Sequence, residues 1–400
     1  MTVAARSAPD ILRALRDFDG FGRRTEVVQV EGIPCLVNEF WTARQRQGHA
    51  LHEISYRACF KPQLPAFFIE RLTAPGDTVH DPFAGRGTTP LQAALMGRRG
   101  LGCDINPLAA LLVRPRFDPP APDELEAALA QVDWGAGRIT RPDLDAFYHP
   151  ETMRGLEALR AWIAAQAPRD DPAPDRAVDW LRMVALNRLS GHSSGFFSGR
   201  SMPPNQAVSL AAQRRINARL GLTPPPRDIP AIILRKSRSL LRHGADVPGT
   251  GALFTAPAAA TPAIPDASVD LVVTSPPFLD VVQYKADNWL RCWFAGIDPD
   301  TVAIDQHRDL AGWTEMVRAV LDEQARLLRP GGHLAFEVGE VRGGRVALEQ
   351  AVWAAAAGLP FARLGVMIND QAFTKTANCW GVANGRLGTN TNRIVLLRRV

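Results

Sequence analysis

From residue 78 to residue 104 the apolar pattern changes period twice. Val79-His-Asp reads as a short strand ending near Asp81, and Pro-Phe-Ala-Gly-Arg-Gly as a tight turn through Gly85 and Gly87. A helix opening at Pro90 follows, and then a second strand ending at Asp104. The texture returns to α/β from Gly249. Gly251 to Thr255 predicts a short strand, and Val269-Asp-Leu-Val-Val a buried one that ends in Thr274-Ser-Pro-Pro-Phe. Leu327 ends a helix, Pro330-Gly-Gly turns, and a strand runs to Val338. Pro360 to Ile368 and Ile394 to Leu397 are the last strand candidates, the latter after an Asn384-Gly385 turn.

The intervening stretch has a different period. Prolines at 115, 119, 120 and 122 punctuate the chain. Beyond them, helices are predicted over Asp123 to Val132, Glu151 to Ala165, Asp175 to Leu189, Asn205 to Leu220 and Ile229 to Arg242. In the fourth, Val208, Ala212, Ile216 and Leu220 form an apolar stripe at helical spacing. This predicts an amino-terminal extension over 1–50, holding a helix and a hairpin around Val27 to Val37. An α/β domain spans 51–114 and 250–400, and a helical insert spans 115–249.

The first turn suggests a nucleoside-binding half-site. Glycines let backbone approach a ligand closely, Thr88 or Thr89 can cap the helix, and an acid ending the next strand can bind ribose hydroxyls. A dinucleotide fingerprint would need glycine at position 90, where the residue is proline. A carboxylate at the mouth of the turn repels pyrophosphate but suits a cation. S-adenosylmethionine, with its sulfonium, amino group and ribose, fits better than NAD; an unliganded strand-turn-helix is the plain alternative. The second loop, Thr274 to Phe278, offers rigid carbonyl acceptors, a hydroxyl and an aromatic face, because two prolines remove two amide donors. That set suits a planar amine, although a proline-rich loop without chemistry would look the same.

Charge adds a direction. Of 400 residues, 46% are hydrophobic and 22% charged, as in a globular chain with a sizeable core. Between Arg176 and His243 twelve basic residues face two acids, so this segment carries +10 of a net +5. An anionic partner is expected there, with Arg200, Arg214, Arg215, Arg235 and Arg238 as contacts. The loop Gly191-His-Ser-Ser-Gly-Phe-Phe-Ser-Gly-Arg could add phosphate contacts and an inserting aromatic; the alternative makes its phenylalanines core plugs. Five scattered cysteines without a Cys-x-x-Cys pair argue for a reducing compartment and against a structural zinc site. No signal pattern or membrane-length apolar run is legible, so a cytoplasmic protein is expected.

Together the two motifs resemble those of S-adenosylmethionine-dependent exocyclic-amino DNA methyltransferases, over residues 52–112 and 250–400. Asp81-Pro-Phe-Ala-Gly-Arg-Gly-Thr-Thr is similar to that family's cofactor turn, Asp104 to its ribose-binding acid, and Lys61-Pro62 to its methionine-carboxylate loop. The resemblance implies a Rossmann-like fold with a seven-stranded, mostly parallel sheet and one antiparallel strand. It implies cofactor contacts from Lys61, Asp81, Phe83, Gly85, Gly87, Thr88, Thr89, Asp104, Asn106 and Thr274. The catalytic loop would be Ser275, Pro276, Pro277 and Phe278, acting on a flipped base in DNA. Its Ser-Pro-Pro form resembles cytosine-N4 more than adenine-N6 enzymes, and Phe278 departs from the commoner tyrosine. The insert is the natural target-recognition region, and a cognate restriction endonuclease a candidate partner. RNA or protein-amide methylation and a non-catalytic binding subunit stay open.

Overall fold

The structure, a computed structural model, describes residues 11–42, 48–57, 59–166, 175–201, 207–279, 284–304, 307–339, 346–370 and 391–400. The Asn384-Gly385 turn and the start of the helix expected from Asn205 lie outside them. Nine strands among these residues form one sheet: β1 (Glu26–Val30), β2 (Ile33–Asn38), β3 (Thr78–Asp81), β4 (Arg99–Asp104), β5 (Thr250–Thr255), β6 (Val269–Thr274), β7 (Leu328–Val338), β8 (Phe361–Asp370) and β9 (Thr391–Arg399). Their order is β1-β2-β8-β9-β7-β6-β3-β4-β5. Within the seven strands from β3 to β9 only β9 runs antiparallel, pairing with β7 and β8. This is the Rossmann-like arrangement expected.

The sheet is larger than expected, because the amino-terminal hairpin joins it. β2 pairs in parallel with β8 from Cys35↔Val366 to Asn38↔Asn369, and β1 adds a second antiparallel edge. Asn369 anchors the junction, its Oδ1 accepting the Phe40 and Trp41 amides at 2.7 and 3.1 Å. The segment read as an extension therefore covers what would be an open edge.

Alternation along β6 divides the core between two faces. Leu271 and Val273 face α1 (Ile11–Arg16) and α2 (Gln63–Leu72), with Phe67 and Phe68. Val272 faces α11 (Leu310–Leu327) and α12 (Leu348–Ala355). Neither α12 nor α10 (Tyr284–Ala295) is foreseen by the sequence pattern, and of α11 only its end is. The Pro330-Gly331-Gly332 turn is an irregularity inside the long β7 instead. Pairing with β6 jumps from Val269↔Leu328 to Leu271↔His333, with Gly331 at φ 83°.

The insert holds α5 (Pro122–Ala130), α6 (Pro150–Ala165), α7 (Arg176–Arg188), α8 (Leu210–Leu220) and α9 (Ile229–Leu240). Its buried side chains share one core with Leu51, Leu91, Leu108, Leu112 and Leu290 of the α/β part. Trp180 on α7 donates to Ser237 Oγ on α9 at 2.9 Å. The stripe expected on α8 is not a core face. Leu220 is 45% exposed, and Gln213 is the buried residue of that helix. Polar bonds hold α8 instead, from Gln213 Nε2 to the Arg200 carbonyl and from Asn217 Nδ2 to the Ala146 carbonyl.

Two glycines in β4 let α3 (Thr88–Leu95) lie close on the sheet. A Cβ at Gly100 would sit 2.0 Å from the Pro90 carbonyl oxygen, and one at Gly102 2.4 Å from Leu253. No helix among the described residues is long and apolar enough to cross a membrane. Gly100→Ala must push α3 off the sheet, and should lower the unfolding free energy by about 1–3 kcal/mol. Urea denaturation checks this, and an unchanged midpoint would count against the close α3–β4 contact.

Candidate functional site

The order of strands reverses between β3 and β6. β4 and β5 lie on one side, β7 on the other, and the carboxyl ends of β3 and β6 open a crevice where ligands bind in such sheets. A side-chain bond spans it: Thr274 Oγ1 donates to Asp81 Oδ1 at 2.6 Å. The Phe83 amide donates to the same oxygen at 3.0 Å. Behind them Thr89 donates to the Val273 carbonyl at 3.0 Å, tying α3 to β6.

The glycine turn is held from both ends. Gly85, at φ 51°, donates its amide to Asp104 Oδ2 at 2.8 Å, and Asn106 donates to Asp104 Oδ1 at 2.8 Å. Asn106 Oδ1 then accepts from Leu108, capping α4 (Pro107–Val113). Gly87, at φ 75°, precedes α3, and a Cβ there would strike Val113 at 2.6 Å. The helix thus begins at Thr88 rather than Pro90, which sits within its first turn, where a missing amide hydrogen costs little. Arg86 donates to Thr88 Oγ1, the Ile54 carbonyl at 3.0 Å and the Phe60 carbonyl at 3.2 Å. It staples Ile54 and Phe60 over the turn.

The resulting cleft is lined by Asp81, Phe83, Gly85, Thr88, Asp104 and Asn106 of the expected cofactor set. Ser275 and Pro277 of the second loop share its wall. Gly87, Thr89 and Thr274 lie behind that wall as supports, and Lys61 is exposed outside it. From the Lys61 neighbourhood it is Tyr56, Cys59 and Phe60 that reach the cleft. Pro276 is buried, and Phe278 packs at Gly339, where a Cβ would meet its ring at 2.8 Å. The Ser275 hydroxyl and the Pro276 carbonyl have no hydrogen-bond partner among the described residues. The Pro277 carbonyl accepts from Trp313 Nε1 at 2.8 Å.

Sequence reasoning missed Tyr56, Cys59, Phe60, Ile105, Pro257, Ala258 and Ile304. Ile105 and Pro257 follow β4 and β5 directly, so the rule that ligands sit beyond strand carboxyl ends could have found them. Tyr56 and Ile304 carry no such signal.

Among the described residues the lining holds two carboxylates and no basic side chain. Burial pushes the Asp81 carboxyl up to about 7 against its bonds from Thr274 and Phe83, and also raises Asp104. Such a cleft favours a cation, which would restore the ionised carboxylates. Among the described residues no cluster of three or more His, Cys, Asp or Glu could hold a metal ion.

The expected anion contacts Arg200, Arg214, Arg215, Arg235 and Arg238 are exposed on the insert. Arg214 lies 3.4 Å from Asp145, and Arg235 donates to the Ser194 carbonyl at 3.1 Å. Phe196 and Phe197 are buried, so neither can insert into a ligand from that loop. Phe196 stacks under Arg188, 4.1 Å from its guanidinium.

Residues 33–112 match the model of the N6_N4_Mtase family, described as DNA methylase. The match begins inside β2, earlier than the motif resemblance from residue 52. A 69-residue stretch, 17% of this chain, is 39% identical to the Type II methyltransferase M.MjaII of Methanocaldococcus jannaschii and covers 13% of it. Another of 111 residues, 27% of this chain, is 30% identical to the Type II methyltransferase M.MvaI of Kocuria varians and covers 24% of it. The chain thus spans at most about a quarter of the length of these two relatives. TrmN from Thermus thermophilus aligns over 86% of this chain and 50% of its own at 13% identity and TM-score 0.33, a likeness too slight to argue from. The resemblance to exocyclic-amino DNA methyltransferases is borne out by the family model and the curated relatives.

Asp81 makes the fold's stability depend on pH. Its carboxyl holds a proton more tightly folded, at about 7, than unfolded, near 3.8. Its contribution to stability therefore falls as pH rises through that window, and the loss is complete above it. His52 and His80, buried and lowered to about 3 and 4 from 6.5, act oppositely and weaken the fold as pH drops below 6.5. Melting curves of the ligand-free chain and of Asp81→Asn separate the two. The difference in melting temperature, variant minus wild type, should grow from pH 5 to pH 8; a constant difference would refute the raised Asp81.

Proposed function

We propose that this chain is a DNA methyltransferase that takes a methyl group from S-adenosylmethionine and places it on the exocyclic amine of a flipped base, N4 of cytosine. The observation that carries the reading is the shared wall. The glycine turn and the Ser-Pro-Pro loop meet at one crevice whose described lining contains two carboxylates and no basic side chain. The family match over residues 33–112 supports it from the amino-terminal side.

The cleft chemistry fits the cofactor. Asp104, at the end of β4, would hold the ribose hydroxyls, since each of its oxygens has capacity beyond its one backbone amide. Asp81 would favour the cationic methionine end. Phe83 and Ile105 would give the adenine an apolar wall, and Gly85 would let the turn approach closely. When bound, S-adenosylmethionine supplies an electrophilic methyl group on a sulfonium.

The protein's own contribution is position. A base amine inside a duplex is out of reach, so the base must leave the stack. The Ser275 hydroxyl and Pro276 carbonyl, without a partner among the described residues, would accept the two amine N–H bonds, turning the nitrogen lone pair toward the cofactor side. Phe278 would supply the stacking face. This requires no covalent enzyme intermediate, and catalysis rests on orientation and fixed dipoles. The exposed arginines of the insert would hold phosphates and set register without reading sequence.

The test is incubation of the purified chain with tritiated S-adenosylmethionine and unmethylated genomic DNA, followed by nucleoside digestion and mass spectrometry. N4-methylcytosine is expected; N6-methyladenine would move the reading to the adenine branch, and absence of incorporation would reject it. Ser275→Ala and Phe278→Ala should each slow transfer by roughly 10²-fold. Either variant at wild-type rate would remove the residue from the mechanism.

Phosphate contacts are tested separately. Arg215→Gln and Arg238→Gln should each weaken DNA binding uniformly across sequences and reduce the slope of log affinity against log salt by about 1. Fluorescence anisotropy over a salt series measures this, and an unchanged slope places that arginine outside the interface.

A further inference from the structure

We infer that Trp313 is a positioning residue for the Ser-Pro-Pro loop, holding the Pro277 carbonyl inward so that the Pro276 carbonyl is left for the substrate amine. The inference rests on the methyl-transfer reading of that loop. Trp313 stands in the first turn of α11, which Asp309 caps by accepting the Gly312 amide at 2.8 Å. It is 1% exposed and packs in the core beneath β6 and β7 with Val272, Leu334 and Phe336. Its indole N–H donates to the Pro277 carbonyl at 2.8 Å, thirty-six residues away in sequence.

The prolines make this bond matter. Pro276 and Pro277 have no amide hydrogens, so neither can anchor the loop by donating. The loop can be fixed at these residues only through its carbonyls and ring packing. The residue before a proline is held extended, and successive carbonyls in such a chain point in different directions. With φ of Pro277 locked by its ring, anchoring the Pro277 carbonyl in the core narrows where the Pro276 carbonyl can point. Among the described residues the two differ as this role requires: Pro277 has a protein donor, and Pro276 has none.

A matched pair of variants tests the role on the full chain. Trp313→Phe removes the N–H donor and keeps most of the ring. Trp180→Phe removes a comparable buried N–H bond, to Ser237 Oγ, within the insert and away from the loop. The readouts are single-turnover methyl transfer to DNA, calorimetric affinity for S-adenosylmethionine, DNA affinity and melting temperature. Expected is a fall in transfer rate on the order of tenfold or more for Trp313→Phe, with both affinities unchanged, and a wild-type rate for Trp180→Phe. Transfer by Trp313→Phe at the wild-type rate overturns the inference. So does a slower rate that tracks lost affinity or lost stability equally in both variants, which is the signature of a structural role alone. Absence of transfer by the wild-type chain would instead overturn the function on which the role depends.

Discussion

Everything in the cleft hangs on a buried carboxylate that bridges two strands. Asp81 ends β3, Thr274 ends β6, and the 2.6 Å bond between them joins the two motifs the sequence places almost two hundred residues apart. A hydrogen bond to a charged group is worth ~1.5–3 kcal/mol net. Against that stands the desolvation of a carboxyl that is 1% exposed. Burial wins in the ligand-free state, which is why the Asp81 carboxyl sits near neutrality instead of near 3.8. Burial thus works against ionisation at this site, and a bound cation would offset it. A fold selected for stability alone would do better with an apolar pair at this crossing.

The wall of the cleft is organised by arginines that use carbonyls as partners. Arg86 clamps the carbonyls of Ile54 and Phe60 onto the glycine turn. Arg116, fully buried, donates to the carbonyls of Leu112, Leu51 and Arg86, and its environment lowers its pKa to about 9. The strap from Glu53 to Arg57 then ties the turn to the helices. Glu53, Ser55 and Arg57 meet the insert and α10, through Arg242, Arg291 and Asp287. The Ile54 carbonyl and the Tyr56 ring meet the glycine turn, while both side chains also pack on the insert core. One short segment thus touches both the cleft and the helices proposed to face DNA.

How much of this was legible follows from range. β3, α3, β4 and β6 are specified locally, by apolar runs, glycines and prolines, and they stand within a few residues of their expected places. The pairing of β2 with β8 was not legible, because nothing in Cys35-Leu-Val-Asn announces a partner more than three hundred residues away. α8 misled for the opposite reason. Its stripe has the right period, but the neighbouring surface offers carbonyls, and Gln213 and Asn217 satisfy them. In the site, Asp81, Asp104 and Ser275 at strand ends were found and Ile105 and Pro257 beside such ends were not, whereas Tyr56 and Ile304 arrive from loops whose path tertiary packing decides.

The insert's charge shows the same limit, and here space corrects sequence. Counted along the chain, residues 176–243 carry +10. Folded, acids from elsewhere come in to meet them. Arg176 pairs with Asp118 and Glu124, Arg214 with Asp145, and both Lys236 and Arg242 with Glu53. Arg188 is spent on Phe196 and on Asn187. What is left exposed and without an acidic partner among the described residues is a smaller set that includes Arg200, Arg215, Arg219 and Arg238. Exposed ion pairs such as Arg214–Asp145 are worth ~1 kcal/mol or less, so a phosphate could displace the acid at little cost. Any field toward the proposed DNA would thus come from a few guanidiniums that have no acidic partner among the described residues, mostly on α8 and α9. Arg219, which the sequence placed off the stripe without assigning it a contact, belongs with them.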